Sequence, residues 1–110
     1  MDLMLLTVPD CPNAAGFEQR LAAALAGRPD AVVRRREVAS EREAAQAGMH
    51  GSPTLLINGT DPFAAPGQAP GRACRLYRDA DGRAAGTPTV EALRRALDQA
   101  SAHEQAGNPG

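Results

Sequence analysis

Aromatic residues are nearly missing from this chain. There is no tryptophan, and Phe17, Phe63 and Tyr77 are the whole complement. A core must therefore be assembled from leucine, valine, isoleucine and alanine, and the run Arg34-Arg35-Arg36 has no aromatic platform beside it for stacking nucleic-acid bases. Lysine is absent as well: all 12 Lys+Arg positions are arginine, a compositional bias with no structural demand behind it. Neither sign of charge dominates. The formal net charge of -1 removes the electrostatic drive for non-specific binding to nucleic acid. No apolar run approaches the roughly 20 residues of a membrane-spanning helix. The opening run, residues 3–8, is also shorter than a signal-peptide core and has no basic flank. A cytoplasmic protein without membrane or nucleic-acid partners is the expectation. Cysteine is limited to Cys11 and Cys74. In a reducing compartment two cysteines point to catalysis or metal binding more than to a structural staple.

What is present has a readable order. The chain of 110 residues is one domain's worth of sequence with room for a single modest core. Residues 3–8 form a continuous apolar run ended by Pro9, as in a strand buried on both faces. A helix is expected from Cys11 or Pro12, with Phe17, Leu21 and Leu25 on one face and Gly27 and Pro29 as its stop. Residues 31–38 read as a second strand. Its Arg34-Arg35-Arg36-Glu37 segment is too polar for a sheet centre and suits an edge. Ser40 and Glu43 form a capping box for a short alanine-rich helix that ends at Gly48. Residues 53–58 are a third strand, closed by the turn pair Asn58-Gly59. A long proline- and glycine-rich loop follows. Residues 74–78 are a short fourth strand, Asp79-Ala80-Asp81-Gly82 the turn after it, and Thr87 or Thr89 caps a last helix bearing Val90, Leu93 and Leu97. The Asp79 turn opens like a calcium loop but has no distal glutamate at the required spacing. The first three strands can run parallel through right-handed crossovers, with the fourth antiparallel to the third.

Two segments carry the chemistry. Pro9-Asp10-Cys11-Pro12-Asn13-Ala14 sets a cysteine where a strand gives way to a helix, and peptide dipoles at a helix N-terminus favour the thiolate. About forty residues later comes His50-Gly51-Ser52-Pro53-Thr54-Leu55-Leu56-Ile57-Asn58-Gly59, a Ser-Pro-Thr step into an apolar strand. His50 either relays a proton to Cys11 or is a surface loop histidine. Cys74 approaches Cys11 if the preceding loop folds back over the strand ends. The two sulfurs then either cycle through a disulfide or share a soft metal.

Together these segments resemble the thioredoxin-like superfamily, in its glutaredoxin and thioredoxin branches. The resemblance implies a single α/β domain over residues 1–101, ordered β-α-β-α-β-β-α. Its four-stranded mixed sheet would carry helices on both faces, with residues 102–110 a flexible tail. It implies a cis peptide before Pro53 and backbone at Ser52 that holds an extended substrate, with Pro12, Asn13 and Thr54 lining the groove. The implied activity is thiol–disulfide oxidoreduction of a protein or low-molecular-weight substrate without a cofactor. Cys11 would attack and Cys74 would resolve. Ala14 stands where redox members have their second cysteine, so no disulfide forms within this motif. A groove that binds without turnover is a further implication.

The stretch from Cys74-Arg75-Leu76-Tyr77 to Val90-Glu91-Ala92-Leu93 resembles the C-terminal part of bacterial alkylmercury (organomercurial) lyases. That likeness implies organomercury held by Cys74 and Cys11, with Asp10 or Asp61 as the acid that protonates the carbon.

Overall fold

The apolar run at the start of the chain becomes the axis of the fold in a computed structural model that describes residues 1–106. Strand β1 (Asp2–Thr7) lies at the centre of a three-stranded sheet. Its odd residues Leu3 and Leu5 face one core and Leu6 faces another, so both sides are covered. That is why the run does not alternate with polar residues. Helix α1 (Ala14–Ala24) and strand β2 (Val32–Glu37) follow. β2 pairs parallel with β1, from Asp2 opposite Val32 to Thr7 opposite Glu37, and forms an edge of the sheet as its arginines predict. Arg34 bonds Asp2 at 2.6 Å. That hydrogen bond holds the exposed Asp2 carboxyl below the usual carboxylate range.

Helix α2 (Glu41–Ala47) is capped by Ser40, whose hydroxyl accepts the Glu43 amide at 3.1 Å. It ends at Gly48 in the left-handed region. Two short strands come next, β3 (His50–Ser52) and β4 (Thr54–Ile57), separated only by Pro53. The Ser52-Pro53 peptide is cis, as expected. β4 joins the free side of β1, but antiparallel, with Leu6 opposite Thr54 and Leu3 opposite Ile57. The expected parallel third strand is thus corrected. A parallel return needs a crossover as long as the strand, about 20 Å for six residues, and seven helical residues of α2 span only about 10 Å. The chain re-enters the sheet at the end it left. Asn58 and Gly59 both have positive φ and reverse it, and Ile57 pairs back to Thr60.

The expected fourth strand is corrected too. Residues 74–78 do not extend the main sheet. They are divided between strand β5 (Gly71–Cys74), which pairs parallel with β3, and strand β6 (Tyr77–Arg78), which forms a hairpin with β7 (Ala84–Ala85). Among the described residues the sheet is mixed and three-stranded, ordered β2-β1-β4, with two separate two-stranded ladders. Asp79 makes the hairpin turn by accepting the Asp81 and Arg83 amides, both at 2.9 Å.

Helix α3 (Val90–Ala106) starts behind Thr89, whose hydroxyl accepts the Ala92 amide at 3.0 Å. It runs beyond residue 101, where the domain was expected to end, and residues 107–110 lie outside the described ones. Helices do cover both faces. Phe17 and Leu21 of α1 and Leu93 and Leu97 of α3 pack on Leu3, Leu5 and Leu55. Ala44 of α2 packs with Leu6, Val38 and Met49 on the other side. No helix among the described residues is long and apolar enough to cross a membrane.

Candidate functional site

The site is built around the Ser52-Pro53 step, because three parts of the chain converge on it. The first is the turn after β1. The Cys11 amide donates to the Val8 carbonyl at 3.2 Å, and the Val8 amide donates to the Ser52 hydroxyl at 3.1 Å. Val8 therefore ties the Cys11 turn to the proline segment, through its carbonyl on one side and its amide on the other. Asp10 allows that turn with a φ of 60°, a value aspartate tolerates better than most residues. Helix α1 begins at Ala14, later than the Cys11 or Pro12 start the sequence suggests, and its N-cap is Asn13. Cys11 is a half-buried free thiol two residues ahead of that cap.

The second part is β5. Cys74 is the register partner of Ser52, and the next amide, Arg75, donates to the Ser52 carbonyl at 3.1 Å. The approach is close. A Cβ on Gly51 would stand 2.9 Å from both the Ala73 carbonyl oxygen and the Arg75 Cβ. Gly51 also has a φ of 100°, so only glycine fits both the conformation and the space. The chain's own residues 71–75 thus take the Ser52 backbone edge that the resemblance reserves for an extended substrate.

The third part is the loop between β4 and β5, fastened by Asp61. Arg75 Nη1 donates to Asp61 Oδ2 at 2.6 Å and Nη2 to Oδ1 at 3.3 Å. The two side chains are 4% and 3% exposed. His50 Nδ1 lies 2.9 Å from Asp61 Oδ2, and the Phe63 amide reaches Oδ1 at 2.9 Å. A carboxylate can only accept, so Nδ1 carries the imidazole proton and Nε2 is the open position. Arg75 Nη1 also donates to the Thr54 hydroxyl at 3.2 Å, which itself donates to the Gly51 carbonyl at 2.6 Å. The Arg75 guanidinium lies 4.6 Å from the Tyr77 ring centre. The buried charge is paired, hydrogen-bonded and faced by an aromatic ring, the conditions under which burial is tolerated.

Tyr77 completes the cluster. Its hydroxyl donates to the Pro53 carbonyl, and its ring meets Phe17 and Phe63 edge-on at 5.9 and 5.4 Å between centres. Every aromatic residue of the chain is spent here. Burial drives the Tyr77 phenol above its ordinary ionisation range. The Arg75 charge opposes that rise, and the charges of Asp61 and Cys11 add to it.

The expected site residues divide accordingly. Cys11, Ser52, Pro53 and Cys74 gather about one segment. Ser52, Pro53 and Thr54 are buried, with the Ser52 and Thr54 hydroxyls already bonded. Asn13 does not front a groove: its side chain lies where a Cβ on Gly86 would stand, 2.4 Å from Nδ2. Pro12 and Asp10 are exposed. Asp61 is an acceptor at both oxygens, which is unsuited to delivering the proton the lyase resemblance asks for. His50 serves Asp61 and shares a cleft with Cys74. Among the described residues no three of His, Cys, Asp and Glu gather into a metal-ligand set. Arg75 and Tyr77 were missed as site residues. Their alternation with exposed Cys74, Leu76 and Arg78 was the available signal. Compared with known proteins, the chain matches no protein-family model, no curated protein and no solved structure.

Proposed function

We propose that this α/β domain is a thioredoxin-like thiol–disulfide exchange protein whose working pair is Cys11 and Cys74. The observation that carries this reading is the register of β5: the second cysteine sits opposite Ser52, and Ser52 is tied through Val8 to the turn of the first. In the exchange, one thiolate of the pair attacks a substrate disulfide, forming a mixed disulfide and releasing one substrate thiol. The other cysteine attacks the protein sulfur of that bond, releases the second substrate thiol and closes Cys11–Cys74. The substrate gains two electrons and two protons, and the pair is oxidised. Ala14 is no obstacle, because the resolving sulfur comes from β5.

Two observations support exchange over the alternatives. Of the two acids offered for organomercury cleavage, Asp61 is gripped by Arg75 and Asp10 is exposed on the turn after β1, outside the cleft that holds Cys74. Binding of an extended peptide alongside Ser52 needs the edge that β5 covers. Mild oxidation followed by mass spectrometry of arginine-cleaved peptides tests the reading. An intramolecular Cys11–Cys74 linkage is expected. Oxidation that yields only linked dimers, or leaves both thiols free, would overturn it.

A further inference from the structure

Cys74 and His50 line one cleft of about 360 Å³ beside β5, with Gln68, Pro70 and Leu76 among its walls. Cys74 is the exposed cysteine of the pair and Cys11 the half-buried one. His50 is 22% exposed, and its ring is fixed through Nδ1 by Asp61, which leaves Nε2 as the nitrogen able to take a proton. β3 and β5 are paired, and His50 stands two residues before Ser52, the partner of Cys74. The ladder bulges between His50 and Ser52, where Gly51 has a φ of 100°, and both His50 and Cys74 line the cleft in which a small substrate would sit. The charged groups around the two are few. Asp61 and Arg75 neutralise each other. From α2, the Glu41 carboxylate lies near Gly71, the partner of His50. From β5, the Arg72 guanidinium turns away to the Val38 carbonyl. Among the described residues Arg75 is the only arginine or carboxylate in the cleft wall, and it is paired; the nearby Glu41 carboxylate disfavours an anionic substrate and no cation-selective cluster lines the wall. Leu76, 67% exposed, adds apolar surface at the rim.

We infer that Cys74 is the first-attacking thiol, taking a small uncharged disulfide in this cleft with His50 as its base. The inference rests on the exchange reading above and reverses the order expected of the cysteine nearest the helix. His50 Nε2 takes the Cys74 proton. The thiolate attacks one sulfur of the disulfide, forming the Cys74 mixed disulfide. The S–S bond breaks toward the other sulfur, which leaves as a thiolate and recovers the proton from His50. The count closes with no added oxidant, since the substrate disulfide is itself the electron acceptor.

Dithiodipyridine, small and uncharged, is the probe. Single-thiol proteins carrying Cys11→Ala or Cys74→Ala are mixed with it, and release of thiopyridone is timed. The Cys11→Ala protein, which retains Cys74, is expected to react about tenfold faster or more. Adding His50→Ala to it should cost about tenfold or more, and free imidazole in the buffer should restore most of that loss, as a merely structural role would not allow. Equal rates, a faster Cys74→Ala protein, or a loss at His50 that imidazole does not repair would each overturn the inference. Oxidation of the wild-type protein reads the exchange proposal separately. A closed Cys11–Cys74 linkage with a slow Cys74 sinks only the order of attack, and a fast Cys74 with no linkage sinks only the pair.

Discussion

Replacing Arg75 with methionine would expose how much of this fold hangs on one buried ion pair. The substitution keeps an unbranched side chain beneath β3 and a polarisable contact for the Tyr77 ring, but removes the cation. Asp61, 3% exposed, would keep His50 and the Phe63 amide as partners and lose both guanidinium bonds. Removing one member of a buried pair typically costs about 3–5 kcal/mol, because the other charge is left in a low-dielectric site. The two surviving donors place the expected cost near the lower limit, about 3 kcal/mol, a large share of the ~5–15 kcal/mol that holds a typical domain together. Asp61→Asn should cost a similar amount by stranding Arg75. The double variant, with no net charge to bury, should recover most of the loss and give a coupling energy of about 2 kcal/mol or more. Urea unfolding reads all four proteins through the fluorescence of the only tyrosine, with no tryptophan to obscure it. At an m-value of about 1–3 kcal/mol per molar, each single variant should lower the midpoint by about 1 M or more. A cost under about 1 kcal/mol for Arg75→Met, or a double variant as unstable as the sum of the singles, would refute the claim that this pair fastens the 58–70 loop and β5 to the sheet.

Other perturbations address separate parts of the structure. Tyr77 has its ionisation raised by burial, so its neutral form stabilises the fold fully below the free-phenol value of about 10. That contribution disappears as pH climbs through the folded value. Phenolate absorbance should therefore appear together with alkaline unfolding, and Tyr77→Phe should flatten that limb; a reversible native titration at about pH 10 would contradict this. Gly51→Ala should destabilise by about 2–4 kcal/mol in thermal melts, since its Cβ has no room. Gly16→Ala, with open space around it inside α1, should stabilise by about 0.5–1 kcal/mol. Ser40→Ala, measured the same way, should cost about 1 kcal/mol through the lost cap of α2.

Much of the scaffold was visible in residue order because local rules governed it. The run at residues 3–8 had no polar positions because both its faces are covered. Ser40 and Thr89 marked caps through side-chain chemistry that does not depend on distant partners, and Asn58-Gly59 marked a turn through its tolerance of positive φ. The arginines of β2 announced an edge. What stayed hidden depended on partners far along the chain. The direction of β4 follows from the reach of α2, a matter of length and not of composition. Gly71-Arg72-Ala73-Cys74 has little strand preference, and its pairing with β3 is fixed by Gly51 and by the anchorage of Arg75. The 74–78 segment alternates as a strand should, with the polarity inverted: arginine lies inside and leucine outside. That inversion makes sense only once Asp61, 14 residues away, is known to be beneath it. The cysteines were legible as candidates. Their order of action was not, because relative exposure is a property of the folded surface.

Ser52 and Pro53 are neighbours in sequence, yet Ser52 belongs to the β3–β5 ladder while Pro53 leads directly into β4 of the three-stranded sheet. The small ladder can consequently come undone without breaking a single rung of the large one. Amide hydrogens in residues 71–75 should then trade with solvent by partial opening, well ahead of those in β1, whose release requires the whole molecule to unravel. Two thresholds of opening are then expected, with the strip that bears Cys74 giving way at the lower one and β1 at the higher.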